Sequence, residues 1–162
     1  MDSNLSLSLG FKGQLALNAQ AVPLQEGYLK LGGIVDSTMT NGLKFGVVCS
    51  AAADDPASIV AGKGDGNVIR GIVVFDDAIA QNAPAHPETY LAGMPCAFIN
   101  KGLVKIMSWE TGKDPVIGYK VQYADATGAI GFVASSADAS HTLLDGAKVV
   151  EVTNDGAYVW LG

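Results

Sequence analysis

The first 33 residues carry apolar side chains at alternate positions. The larger ones are Leu5, Leu7, Leu9, Phe11, Leu15 and Leu17. A period of two is typical of extended chain with one apolar face. Glycine and proline residues interrupt the alternation, so we expect short extended pieces rather than one long strand. Two interpretations stay open: an extended N-terminal arm over residues 1–33, or ordinary edge strands of the domain that follows.

From residue 34 onwards, short segments rich in β-branched and aromatic residues are separated by turn residues. The candidate strands are residues 43–49, 67–75, 94–100, 103–109, 116–123, 130–134, 147–153 and 157–161. This spacing predicts an all-β domain over residues 34–162, a small antiparallel β-barrel or sandwich with little helix. The one helical signal is in residues 76–83, where Asp76 can cap two turns.

Two pairs of candidate strands are close enough in sequence to form hairpins. Residues 148–153 and 157–161 flank a tight turn, Asn154-Asp155-Gly156, made of residues that tolerate positive φ. A similar turn at residues 100–102 divides the apolar segment 97–106. Repeated hairpins indicate a meander or small barrel.

Composition limits the class of protein. Glycine accounts for 20 of the 162 residues, whereas glutamate occurs four times and arginine once, which does not fit a helix-rich protein. With 49% apolar and 16% charged residues, the chain is too apolar to be disordered. No apolar run approaches the roughly 18 residues of a membrane span. The N-terminus lacks the features of a signal peptide, so we expect synthesis in the cytoplasm.

The charge of the chain argues against one class of partner. The formal net charge is −6 and the sequence pI is about 4.6. Binding to phosphates requires clustered lysine and arginine. We therefore do not expect nucleic acid to be a direct ligand.

Residue types that carry chemistry are few and scattered. Cys49 and Cys96 each lie in an apolar stretch, which is typical of buried thiols, and with His86 and His141 they do not form the spacing of a zinc site. The two histidines are expected at the surface. The glycine-rich residues 61–67 lack the order of a phosphate-binding loop. No nucleophile elbow is present, so we predict no catalytic residue, no cofactor and no metal, and a protein that is not an enzyme.

The two tryptophans leave a second function open. Trp109 and Trp160 lie in candidate strands, where packing in a core or an interface is the usual role. Stacking on a sugar or a base is the alternative. It would make the chain a stand-alone β-barrel module that binds carbohydrate or peptide through Trp109 and tyrosine residues.

Several short phrases occur in an order that matches a known family. They are residues 13–16 (Gly-Gln-Leu-Ala), 45–49 (Phe-Gly-Val-Val-Cys), 68–74 (Val-Ile-Arg-Gly-Ile-Val-Val), 90–95 (Tyr-Leu-Ala-Gly-Met-Pro), 99–104 (Ile-Asn-Lys-Gly-Leu-Val), 112–116 (Gly-Lys-Asp-Pro-Val) and 146–150 (Gly-Ala-Lys-Val-Val). Each is a common strand–turn phrase, and their order along most of the chain carries the match. In this respect the sequence resembles the structural cement (head decoration) proteins of tailed bacteriophages.

The resemblance implies a virion protein that is made in the host cytoplasm and binds the outer surface of the capsid. There it would contact the major capsid protein and bridge neighbouring capsomers as a dimer or trimer. The neutral, alternating N-terminal segment suits strand addition to an exposed sheet edge. We therefore expect the main capsid or oligomer contacts at Leu5, Leu7, Leu9, Phe11, Leu15 and Leu17.

Overall fold

The fold is described from a computed structural model, which defines residues 21–23, 30–76 and 89–162. The six residues predicted to contact the capsid, Leu5, Leu7, Leu9, Phe11, Leu15 and Leu17, lie outside the described residues. So does nearly all of the predicted helical segment 76–83, and so does His86. The described residues form no helix, and none of them belongs to a helix long and apolar enough to cross a membrane. The prediction of an all-β fold is confirmed.

Thirteen strands make up the described structure. In chain order they are β1 (Ala21–Pro23), β2 (Lys30–Val35), β3 (Leu43–Lys44), β4 (Val48–Ala51), β5 (Ser58–Ala61), β6 (Ile69–Val73), β7 (Thr89–Tyr90), β8 (Pro95–Ile99), β9 (Leu103–Ile106), β10 (Lys120–Ala124), β11 (Ile130–Val133), β12 (His141–Thr153) and β13 (Gly156–Trp160). They form a closed barrel, a six-stranded sheet and the small β3–β7 pair.

The barrel closes in the order β2-β5-β4-β6-β8. It is not wholly antiparallel, because β2 and β5 pair in parallel, with Ile34 opposite Ser58. Its interior is filled by apolar side chains from the strands and from the segments that follow them. The largest fully buried members are Leu43, Phe45, Ile59 and Phe98. An interior packed in this way has no room for a large ligand.

The six-stranded sheet is antiparallel throughout, in the order β1-β9-β13-β12-β10-β11. One face of it packs against the outside of the barrel, and the shared core contains residues from both parts. Ile72 and Ile99 come from the barrel, whereas Ile106, Val121 and Val159 come from the sheet, and all are fully buried. The opposite face of the sheet points away from the barrel.

Backbone hydrogen bonds also join the two parts. The N–H of Val48 in the barrel donates to the carbonyl of Gly128 in the β10–β11 turn at 2.8 Å, and the N–H of Lys63 donates to the carbonyl of Asp125 at 2.8 Å. Because these bonds fix the turn onto the barrel wall, the outer face of the sheet has a defined orientation relative to the barrel.

One predicted hairpin is confirmed and the other is wrong. Strands β12 and β13 pair around Asn154 and Asp155, although neither residue adopts positive φ. By contrast, the turn at residues 100–102 connects β8 in the barrel to β9 in the six-stranded sheet, and the two strands do not pair. The reason is that β2 and β6 occupy both edges of β8.

The predicted division at residue 33 falls within β2. The 1–33 segment includes β1, which pairs with β9, and the first four residues of β2, which lie in the barrel. Residues 1–20 and 24–29 are outside the described residues, so an arm over 1–33 and a domain over 34–162 stay a prediction.

Candidate docking surfaces

The edge of the six-stranded sheet is the first candidate surface. In the described part of the chain β1 is the outermost strand on this side, with Ala21 opposite Ile106 and Pro23 opposite Val104. An edge strand offers backbone groups for pairing with another chain, and proline is tolerated there because a missing N–H is harmless at an edge. The strand therefore connects the sequence before residue 21 to the edge of the sheet.

The outer face of this sheet carries a row of four side chains. The strand register places Lys120 opposite Lys148, Lys148 opposite Trp160, and Trp160 opposite Leu103. Since directly opposed residues lie on the same face, and Val149, Val159 and Val104 beside them point into the core, this row points away from the barrel. We call these four residues the Lys–Trp row.

Exposure and charge distinguish the Lys–Trp row from its surroundings. Both lysines are exposed, and Trp160 is 41% exposed. The side chain of neither lysine forms an ion pair or a hydrogen bond with any residue that the structure describes. The next lysine on the same face, Lys105, is paired: its Nζ lies 2.6 Å from Oδ2 of Asp155 and 5.8 Å from the ring centre of Tyr158.

Apolar side chains adjoin one end of the row. The N–H of Gly118 donates to the carbonyl of Val149 at 2.8 Å, which brings the turn before β10 beside β12. On this turn Val116 is 47% exposed and Ile117 is 66% exposed, and Val150 on β12 is 46% exposed. Exposed apolar groups beside cationic ones are typical of a surface that contacts another molecule.

An acidic cleft lies elsewhere, between the barrel and the β10–β11 turn. It has a volume of about 650 Å³ and is lined in part by Asp36, Asp54, Asp65 and Asp125. Hydrogen bonds from Ser58 and Thr38 lower the pKa of Asp36 to about 2. Within residues 21–23, 30–76 and 89–162, no cluster of acidic, histidine or cysteine side chains could hold a metal ion.

The histidine of β12 is a structural group. His141 Nε2 lies 2.8 Å from Oε2 of Glu110, and its Nδ1 lies 2.8 Å from the carbonyl oxygen of Ala139. Both acceptors favour the protonated ring and raise its pKa. His141 lies partly buried at the surface, with 16% of its side chain exposed, and it ties the loop after β9 to β12.

The thiols and Trp109 belong to the core. Cys49 and Cys96 are free and buried, as predicted. Burial raises the pKa of both, that of Cys96 to about 11, so neither is a reactive nucleophile near neutral pH. Trp109 packs edge-on against Phe132 with ring centres 5.9 Å apart, which leaves Trp160 as the exposed tryptophan.

The candidate surfaces on the described residues include none of the residues predicted to contact the capsid. The predicted contacts Leu5, Leu7, Leu9, Phe11, Leu15 and Leu17 are outside the described residues, so the structure does not bring them together or separate them. The Lys–Trp row was missed, because its members are far apart in sequence and only the strand register aligns them. The one available signal was Trp160 itself, a large aromatic at the end of a predicted hairpin strand.

Comparison with known proteins shows the family. A search of curated proteins found no match. A family model described as structural cement protein (E217 gp24/Pam3 gp6) matches residues 2–162. The match covers essentially the whole chain and includes the six-stranded sheet as well as the barrel. The chain therefore belongs to the phage structural cement protein family, whose place is in the capsid.

Proposed function

We propose that this protein binds the outer surface of an assembled phage head and bridges neighbouring capsomers. The observation that carries the proposal is the family match over residues 2–162. A ligand that binds only the assembled state stabilises that state by mass action. A bridge repeated around the shell therefore opposes the separation of capsomers under the pressure of the packaged genome.

A bridge requires at least two contacts, and we propose that one of them is the N-terminal segment. Leu5, Leu7, Leu9, Phe11, Leu15 and Leu17 would pair as an added strand with a sheet edge on the major capsid protein or on a second copy of the chain. The position of β1 supports this, because the strand that follows the segment in sequence is an edge strand of the six-stranded sheet. A dimer or trimer would supply the second contact.

We further infer that the protein acts without catalysis and assembles onto the capsid after synthesis in the host cytoplasm. The family consists of structural proteins. In support, burial raises the pKa of both thiols, and His141 is held in an ion pair with Glu110. The net charge of −6 supports a protein partner rather than nucleic acid.

Deletion of residues 1–12 tests the arm directly. We expect the shortened protein to keep its unfolding temperature and to lose co-sedimentation with assembled capsids, because Leu5, Leu7, Leu9 and Phe11 are removed while every described strand stays. The full chain is the control. Unchanged occupancy on the capsids would show that the arm is not the main contact.

A further inference from the structure

The pairing of Lys120 with Lys148 is unfavourable for the isolated protein. The two residues are directly opposite each other on β10 and β12, and both are exposed. Like charges in directly opposed positions of a sheet destabilise it. No carboxylate among the described residues pairs with either lysine. Nothing in the described part of the chain therefore compensates these two charges.

The wider charge distribution makes this pair unusual. The chain has 16 acidic residues against 10 lysines and arginines. Other lysines form ion pairs with acidic residues: Lys105 pairs with Asp155, and Nζ of Lys113 lies 2.5 Å from Oδ2 of Asp138. On an acidic protein, a cationic pair that no described carboxylate neutralises is complementary to an acidic surface on another molecule.

The neighbour of the pair is a residue suited to anchoring an interface. Trp160 lies directly opposite Lys148 and is 41% exposed on a strand whose other edge is held by β9. Tryptophan is enriched among the residues that dominate binding energy, because it buries a large area with little loss of conformational freedom. Ile117 and Val150 extend the apolar surface next to Lys148.

We propose that the Lys–Trp row docks onto an acidic patch of the capsid shell protein, with the indole of Trp160 in an apolar depression and both lysines paired with carboxylates. This inference rests on the proposed function and gives each copy a contact with the shell besides the N-terminal segment. Residues 1–20 are a poor alternative occupant, because they contain one acidic residue, Asp2, and one basic residue, Lys12, and so carry no net negative charge.

Charge reversal at Lys148 tests whether the lysines of the Lys–Trp row pair with carboxylates of the shell protein. The full-chain Lys148→Glu variant should bind assembled phage capsids, stripped of this protein, about tenfold more weakly than the wild type at low salt. The wild-type affinity should fall as salt is added, and that dependence should be smaller in the variant. Lys44→Glu is the matched control, since Lys44 is exposed on β3 and its reversal gives the same net charge.

The unfolding temperature of the free protein gives an independent reading. A glutamate opposite Lys120 replaces repulsion by attraction, so Lys148→Glu should unfold at a higher temperature than the wild type while it binds capsids less well. A stabilising change that weakens binding is the result expected of a docking surface. A lower unfolding temperature would show that Lys148 serves the fold, and would overturn the inference.

Removal of the indole tests whether Trp160 anchors the row in an apolar depression of the shell protein. Trp160→Ala should weaken capsid binding about thirtyfold, and Val68→Ala, which shortens an apolar side chain that is 52% exposed on the barrel, should leave it unchanged. A large fall in the unfolding temperature of Trp160→Ala would indicate that the chain covers its own indole. That result would also overturn the inference.

The remaining outcomes separate the row from the proposed function. Wild-type protein that fails to bind capsids contradicts both. Wild-type binding that Lys148→Glu and Trp160→Ala leave unchanged contradicts the row alone. A change in the sedimentation of the free protein, without a change in capsid binding, assigns the row to contacts between copies of this chain and overturns the capsid assignment.

Discussion

Replacement of Gly71 by alanine should weaken the barrel more than any ordinary surface glycine substitution. Gly71 lies in β6 opposite Cys49, and its φ is +147°, a conformation that side-chain-bearing residues rarely adopt. A Cβ atom there would overlap the carbonyl oxygen of Ile99 and lie 2.7 Å from its carbonyl carbon. Since β6 and β8 are paired at Ile72 and Ile99, the backbone of β8 cannot move away without breaking the barrel.

Two costs determine how much free energy of unfolding the Gly71→Ala variant loses. A residue other than glycine in this region of φ costs about 1–3 kcal/mol. Overlap with a fixed neighbour in a packed interior costs about 1–3 kcal/mol more. The Gly71→Ala variant should therefore lose about 2–6 kcal/mol of the free energy of unfolding. This is a large share of the roughly 5–15 kcal/mol that stabilises an ordinary domain.

Urea unfolding of the full chain, followed by circular dichroism, measures the loss, and Gly112→Ala is the matched control. Gly112 has φ of +78°, but a Cβ atom added there would meet no other atom within 4 Å, so only the backbone cost applies, about 1–2 kcal/mol. Equal losses in the two variants would refute the reasoning, because they would mean that contact with β8 contributes nothing.

Three further outcomes concern groups inside the fold. The pKa of His141 is raised, so the protonated ring stabilises the fold fully at a pH below the ordinary pKa of about 6.5, and this stabilisation is lost as the pH rises through the raised pKa. Glu110→Gln should flatten this part of the curve of stability against pH. An unchanged curve would contradict the ion pair. Cys49 and Cys96 should not react with a thiol reagent until the protein unfolds, and rapid labelling of the native protein would contradict their burial. Tyr90→Phe should lower the free energy of unfolding, measured in urea, by about 1–3 kcal/mol, because the buried hydroxyl donates to the carbonyl of Val74 at 2.7 Å. A loss below about 0.5 kcal/mol would show that this hydrogen bond is dispensable.

Local features of the fold could be predicted from the sequence. The β12–β13 hairpin is an example, because strand character and turn chemistry occur within one short stretch of chain. The all-β class follows in the same way from the spacing of β-branched segments. The sequence pattern also identified Cys49 and Cys96 as buried thiols, since an apolar context is itself a local property.

Features set by partners far away in sequence could not be predicted. The turn at residues 100–102 has the chemistry of a hairpin, but the edges of β8 are occupied by β2 and β6. Strand β5, Ser58–Ala61, was missed because only Ile59 and Val60 in it have strand character, and its place in the barrel depends on parallel pairing with β2. The Lys–Trp row has the same origin, since its members meet only when β10, β12 and β13 align.

Binding of the full-length protein to assembled capsids tests the proposed cement function most directly. Stripped capsids are mixed with the protein, sedimented and heated, and both the bound protein and the temperature of capsid disruption are measured. We predict that the protein co-sediments with the capsids and raises their disruption temperature. Protein that stays in the supernatant, with capsids that break at an unchanged temperature, would contradict the proposed function.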